Sequence, residues 1–304
     1  MGFAGLMAFD VSELTNANPW TEDAALSTLP VYRNHLRYEK NYYPIDVDWE
    51  QMEALFLETA GKLGMNTENL RVTKESGWSN YLKGGEDGIV ITVWSSMEIQ
   101  IDFEPAVSLP EPYHFTYYST YEELEQTAGY LLDTYKDLIA MEDPRLNVNG
   151  GDYDIYLRQS YNLEFFETGE NLTEDIINYN FYPVQFSSDS AGGLMILRIF
   201  RTDLSEKMGD YPIITPKEAL DLLENGSYIT SVPYDVTDME LVKKTELVYE
   251  TSDYETYFLP CYQFYVELPE EEKENGMKTY GLYYVPAVNG RYLEVFPPSR
   301  GVFN

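Results

Sequence analysis

The sequence predicts an α+β fold of two modules, each a helix packed on an antiparallel β-sheet, and three observations predict it. Helical periodicity is confined to a few well-punctuated segments, near Trp49–Leu63, Thr120–Met141 and Pro216–Glu224. Between and after them lie short alternating or tyrosine-rich runs broken by turn residues, which read as hairpins and meanders. The 304 residues are 44% apolar and 15% aromatic, enough for packed cores and against global disorder.

Residues 1–47 read as an irregular N-terminal segment, with a turn at Asn16–Trp20 and a short helix over Glu22–Leu26. Tyr32–Lys40 is a locally basic patch (Arg33, His35, Arg37, Lys40) among tyrosines. In so acidic a chain, pairing with the protein's own carboxylates is the expected use of those cations.

Residues 48–205 form the first expected domain. Asp46, Asp48, Glu50 and Glu53 crowd the start of its first helix, where the helix dipole favours acids. They lack the central glycine and terminal glutamate of a calcium loop. Met52, Leu55, Phe56, Ala60 and Leu63 give that helix its core face, and Gly64 ends it. Strands are expected at 70–74, 88–95 and 98–103, the last two joined at Ser95-Ser96. Gly84–Gly88 is a glycine loop too acidic for phosphate, and Pro105–Pro112 an extended connector. The long helix 120–141 opens on a Thr120/Glu123 capping box and stops before Pro144. Strands at 153–157 and 161–166, a short helix at 174–178, and a hairpin of 181–186 with 194–201 complete the domain.

Residues 206–304 form the second domain, after a charged boundary at 203–210. Its helix is the best marked of all. Thr215 is the N-cap, Pro216 the first helical residue, Glu218 closes a capping box and Asn225-Gly226 supply the stop. Strands are expected at 246–251, 257–268, 278–285 and 291–295, with a solvated tip at 270–276.

The formal charge is -32. Such a field repels phosphate backbones and anionic headgroups, which argues against nucleic acid and direct membrane-surface binding, and it favours cationic partners. The single cysteine, Cys261, excludes an internal disulfide and the usual cysteine zinc sites, and reads as a small buried hydrophobe. No apolar window approaches the roughly 18 residues that span a bilayer. Met1–Asp10 has no basic n-region and no lipobox cysteine, as expected of a chain whose leader has been removed. His35 and His114 are the only histidines, and neither a metalloprotease helix, a dinucleotide fingerprint nor a Walker loop is present. No catalytic residue, cofactor or metal ligand is assigned.

The run "YPIITPKEALDLLENGSY" with "ELVYET", "YFLPCYQFYVEL" and "YGLYYVPAV" resembles uncharacterised exported lipoproteins of Clostridia and related Firmicutes. More remotely it resembles PepSY-type modules and the extracytoplasmic regulators of a cell-wall sensor kinase. The resemblance spans Tyr211–Phe296. It implies a PepSY/cystatin-like plan and a protein on the outer cell face, anchored through an N-terminal segment. The expected function is therefore non-enzymatic binding or regulation, with a protein or peptide of the envelope as partner and Tyr254, Tyr257, Tyr283 and Tyr284 as contacts. The alternative is a carboxylate-based glycoside hydrolase acting on surface or dietary glycans, which needs two acids facing across a cleft at roughly 5 to 10 Å.

Overall fold

The computed structural model describes residues 6–8, 16–34, 47–77, 80–116, 119–153, 159–251, 255–271 and 278–293. It is α+β, with helices packed on antiparallel sheets.

The largest sheet has eight strands, in the order β3-β4-β5-β6-β10-β9-β8-β7. They are β3 (Val72–Glu75), β4 (Tyr81–Glu86), β5 (Ile89–Trp94), β6 (Ile99–Val107), β7 (Pro144–Tyr153), β8 (Gln159–Glu167), β9 (Val184–Ser188) and β10 (Leu194–Ile199). One face alternates apolar residues inward: Ile91, Val93, Ile101, Leu163, Phe186 and Leu197 are buried. It lies against α1 (Trp49–Lys62), α2 (Tyr121–Thr134) and α3 (Lys136–Ile139). Phe56, Leu124 and Leu131 are among the helix-borne members of that core, and each buried side chain of this size contributes roughly 1.5–3 kcal/mol.

The helix starts follow the sequence. Asp48 accepts from the Gln51 backbone N–H at 2.9 Å, and Thr120 with Glu123 forms the expected capping box. The helix expected to reach Met141 instead breaks at Tyr135 and ends at Ile139, because Ala140 turns left-handed at φ 53°. Gly84–Glu86, expected in a loop, belong to β4, and the turn is confined to Asp87-Gly88 at φ 51° and 81°. Those values are the mirror-image turn a tight hairpin needs. The connector expected from Pro105 is strand up to Val107, and the expected short helix grows into α4 (Leu172–Phe181). Of the strand expected at 153–157, Tyr153 ends β7 and residues 154–158 lie outside the described residues.

A second sheet has the order β1-β15-β14-β12, with β1 (Leu6–Ala8), β12 (Val242–Tyr249), β14 (Pro260–Glu267) and β15 (Thr279–Pro286). A third, of three strands, has the order β11-β2-β13, with β2 (Thr28–Arg33), β11 (Lys207–Pro212) and β13 (Tyr257–Phe258). The capped helix α5 (Pro216–Glu224) has the expected box and packs Ala219 and Leu223 into a core with Tyr262, Phe264, Tyr283 and Val285.

Several expectations fail here, for one reason. The irregular segment 1–47 contributes β1 and β2, the boundary 203–210 contributes part of β11, and Glu22–Leu26 forms a turn without a helix. β2 and β11 pair with each other across 175 to 184 residues of chain, Thr28 opposite Pro212 and Tyr32 opposite Lys207. Their backbone groups find partners that no local pattern announces. The strand expected at 291–295 is a short 3-10 turn, Gly290–Tyr292, in its described part. Most of the tip at 270–276 lies outside the described residues.

The cores also cross the expected boundaries. Leu29 of β2 and Ile176, Ile177 and Phe181 of α4 pack into the core of the C-terminal sheet.

Candidate functional site

Of the four tyrosines expected as contacts, Tyr283 is fully buried and Tyr284 is 4% exposed. They are structural, which corrects the expectation. β15 is a central strand covered on both faces, so consecutive residues bury on opposite sides. The Tyr283 hydroxyl donates to the Tyr234 carbonyl at 2.8 Å, and its ring meets Tyr228 edge-on at 5.1 Å. Tyr262 and Tyr249 do likewise, donating to the carbonyls of Ile214 (2.8 Å) and Pro30 (2.7 Å). Each ring fills core while its hydroxyl ties down a neighbouring segment, which phenylalanine could not do. Tyr257 is 36% exposed, with the Arg33 guanidinium 5.9 Å from its ring centre. Tyr254 lies outside the described residues.

Beside Tyr257 is a half-enclosed cleft of ≈ 490 Å³, within the size range of small-ligand sites. Five separate parts of the chain build it. Asn34 comes from the end of β2, and Asp48, Gln51 and Leu55 from the first turns of α1. Ser95, Ser96 and Met97 come from the β5–β6 turn, Tyr182 and Arg201–Asp203 flank the β9–β10 hairpin, and Thr251 and Phe258 come from the C-terminal sheets. Leu55, Met97, Tyr182 and Phe258 give it an apolar lining, around which amides and hydroxyls converge. Burial, reinforced by the charge of Asp203, raises the Tyr182 phenol to about 12, so it serves as a hydrogen-bonding hydroxyl at neutral pH.

The cleft's carboxylates are Asp48 and Asp203, and Asp48 is committed to capping α1. Its lining holds no histidine or cysteine among the described residues. Among the described residues no group of three or more His, Cys, Asp or Glu is placed to hold a metal ion. Cys261 is buried, and its thiol is pushed well up by burial and by Glu250 and Glu255. That fits the small hydrophobe the sequence suggested. Among the described residues no helix is long and apolar enough to cross a membrane.

The two main sheets meet through a buried polar cluster. Asn147 on β7 and Gln185 on β9 donate to Glu164 on β8 at 2.8 and 2.7 Å. On the other side Glu246 of β12 receives Lys244 at 2.6 Å and the Tyr265 hydroxyl at 3.1 Å. The Tyr179 hydroxyl sits between them, hydrogen-bonded to Asn147 and Asn18; burial and the charges of Glu246 and Glu164 push it well above its ordinary value. The N-terminal segment closes the junction, with the Ala17 N–H on Asn147 at 2.8 Å and the Asn18 amide on the Leu247 carbonyl at 3.2 Å. Glu164 and Glu246 are 5% and 3% exposed and do not line the cleft.

Sequence reasoning reached Tyr257 and missed Arg201, Ser96 and Thr202. No spacing could have found them, because the cleft is assembled from segments far apart in the chain.

No protein-family model matches the chain, and no curated protein matches it significantly.

Proposed function

We propose that this protein is a non-enzymatic extracytoplasmic binding protein that holds a segment of an envelope protein or peptide in the cleft between its sheets. The observation that carries the reading is the cleft itself: apolar walls from Leu55, Met97, Tyr182 and Phe258 beside converging hydrogen-bonding groups, with Asp48, one of the two carboxylates among the described lining residues, committed to capping α1. Tyr257 and Arg33, next in the chain to the lining residues Phe258 and Asn34, supply an amphipathic rim of the kind common at interfaces. The outer-face location and N-terminal anchorage come from the resemblance of Tyr211–Phe296 to exported lipoproteins.

The test is site-specific photocrosslinking in intact cells from a probe replacing Ser96, followed by peptide sequencing of the adduct. The expected result is one recurrent partner segment whose capture is lost on Thr202→Trp, which fills the cleft, and reduced by Tyr257→Ala. Capture unaffected by Thr202→Trp refutes the site. Turnover of a glycan by the purified protein refutes the non-enzymatic reading.

A further inference from the structure

The face of the eight-stranded sheet turned away from α1–α3 carries a feature unrelated to the cleft's lining. Strand register places Thr73, Lys83, Thr92, Gln100, Arg198 and Gln185 in one continuous row across it, running on to Glu164 and Asn147. At the β7–β9 end this row is buried in the polar cluster described above. At the β3–β6 end Arg71, Thr73, Glu75 and Lys83 are exposed, Tyr81, Trp94, Gln100 and Asp102 are half-buried, and Thr92 between them is buried.

We propose that this open end is a binding platform for an uncharged oligosaccharide chain. Tyr81 and Trp94 lie opposite each other on β4 and β5, ring centres 5.1 Å apart and inclined at 58°. They present an aromatic surface to whatever lies on the sheet. Beside them the polar groups are fixed by one another. Gln100 donates to Asp102 at 2.8 Å and accepts from Arg198 at 3.1 Å, and Arg198 lies 3.8 Å from Glu98. These contacts use part of the five guanidinium donors and the carboxylate lone pairs, so planar hydrogen-bonding capacity remains beside the rings at little entropic cost. An apolar ring face beside preorganised amide, guanidinium and carboxylate groups matches a pyranose, which has a C–H face and a rim of hydroxyls.

Charge selects the occupant. The chain carries -32 overall, and on this face the acids Glu75, Glu98, Asp102 and Glu104 outnumber Arg71, Lys83 and Arg198, with Asp87 at the groove as well. A phosphate-bearing chain, a polyuronate or an acidic peptide therefore meets repulsion both here and from the whole protein, whereas an uncharged chain does not. Shape agrees. An open groove of ≈ 400 Å³, lined by Thr73, Tyr81, Lys83 and Val90 among others, runs along the outer edge of the same face. It is shallow, as suits a chain laid across it.

The test is affinity electrophoresis of the whole chain through gels containing a mixed-linkage β-glucan, a xylan, a galactomannan or, as the charged control, polygalacturonate. At least one neutral polysaccharide is expected to retard the protein and polygalacturonate is not. Trp94→Ala and Tyr81→Ala are each expected to weaken that retardation about tenfold. Gln100→Ala, which leaves both rings in place, is expected to weaken it several-fold while the melting temperature falls by only a few degrees, through the two hydrogen bonds lost to Asp102 and Arg198. Thr202→Trp in the cleft is expected to leave it unaltered, which separates this surface from the partner site. Absence of retardation in all three neutral gels, or retardation indifferent to Gln100→Ala and Trp94→Ala, overturns the proposal. So does a concentration-dependent dimer in sedimentation that Trp94→Ala dissolves, because a second copy would then be the occupant.

Discussion

Removing the cation at the buried junction between the sheets gives the sharpest test of how the two are held together. Glu246 is 3% exposed, and its oxygens receive Lys244 at 2.6 Å, Tyr265 at 3.1 Å and Gln263 at 3.4 Å, with Asn16 alongside. Stripping one partner from a fully buried ion pair costs about 3–5 kcal/mol, since the remaining charge is left desolvated. Here the Lys244 side chain is 25% exposed and neutral donors stay in place, so Lys244→Met should cost about 2–3 kcal/mol. Lys244 also donates to Asn16 at 2.8 Å, so part of that loss passes to the N-terminal segment across the junction. Urea unfolding followed by circular dichroism should show a midpoint lower by about 1 M for a slope of about 2–3 kcal/mol/M. Combining Lys244→Met with Glu246→Gln removes the stranded charge but keeps an acceptor for Tyr265. The double variant should recover to within about 1 kcal/mol of wild type. A single variant within about 0.5 kcal/mol of wild type, or a double variant weaker than the single, would refute the view that a buried charge is being compensated there.

Other outcomes follow from the same physics. Tyr283→Phe should cost about 1 kcal/mol, through the bond lost to the Tyr234 carbonyl, and Tyr283→Ala about 3–5 kcal/mol; equal costs would show the hydroxyl to be idle. Burial raises the phenols of Tyr179, Tyr249 and Tyr265 well above 10.0 and that of Tyr262 to about 12. Folded values above unfolded ones mean this stability is intact below about pH 10 and is lost as pH climbs through the folded values, at about 1.4 kcal/mol per unit for each tyrosine. Tyrosinate absorbance of this group should therefore rise together with loss of circular dichroism above pH 10, and independent titration of all tyrosines near 10 in a folded protein would contradict it. The Cys261 thiol, buried and raised, should ignore a disulfide reagent in the native state and react stoichiometrically in urea. Thr215→Ala should cost about 1 kcal/mol by uncapping α5, measured as a melting-temperature drop that Thr215→Ser largely restores.

What the sequence by itself determined is local. Caps at Thr120 and Thr215, the acidic start of α1, the stripe Met52–Phe56–Ala60 and the hairpin at Ser95-Ser96 are written in a few neighbouring residues, because capping bonds and helical faces are satisfied within a turn or two. The tyrosines were legible as strand formers, but not their exposure. Whether Tyr257 faces water and Tyr283 does not depends on which strand is central and which is at an edge, a property of sheet order. Only the tertiary structure decided that residues 28–33 and 207–212 are strands, that α4 serves the opposite core, and that the cleft and the Tyr81–Trp94 face exist. Each of these rests on contacts between residues distant in the chain. Such contacts leave no periodicity to read, since the groups that complete one another's hydrogen bonds and burial meet only when the chain has folded.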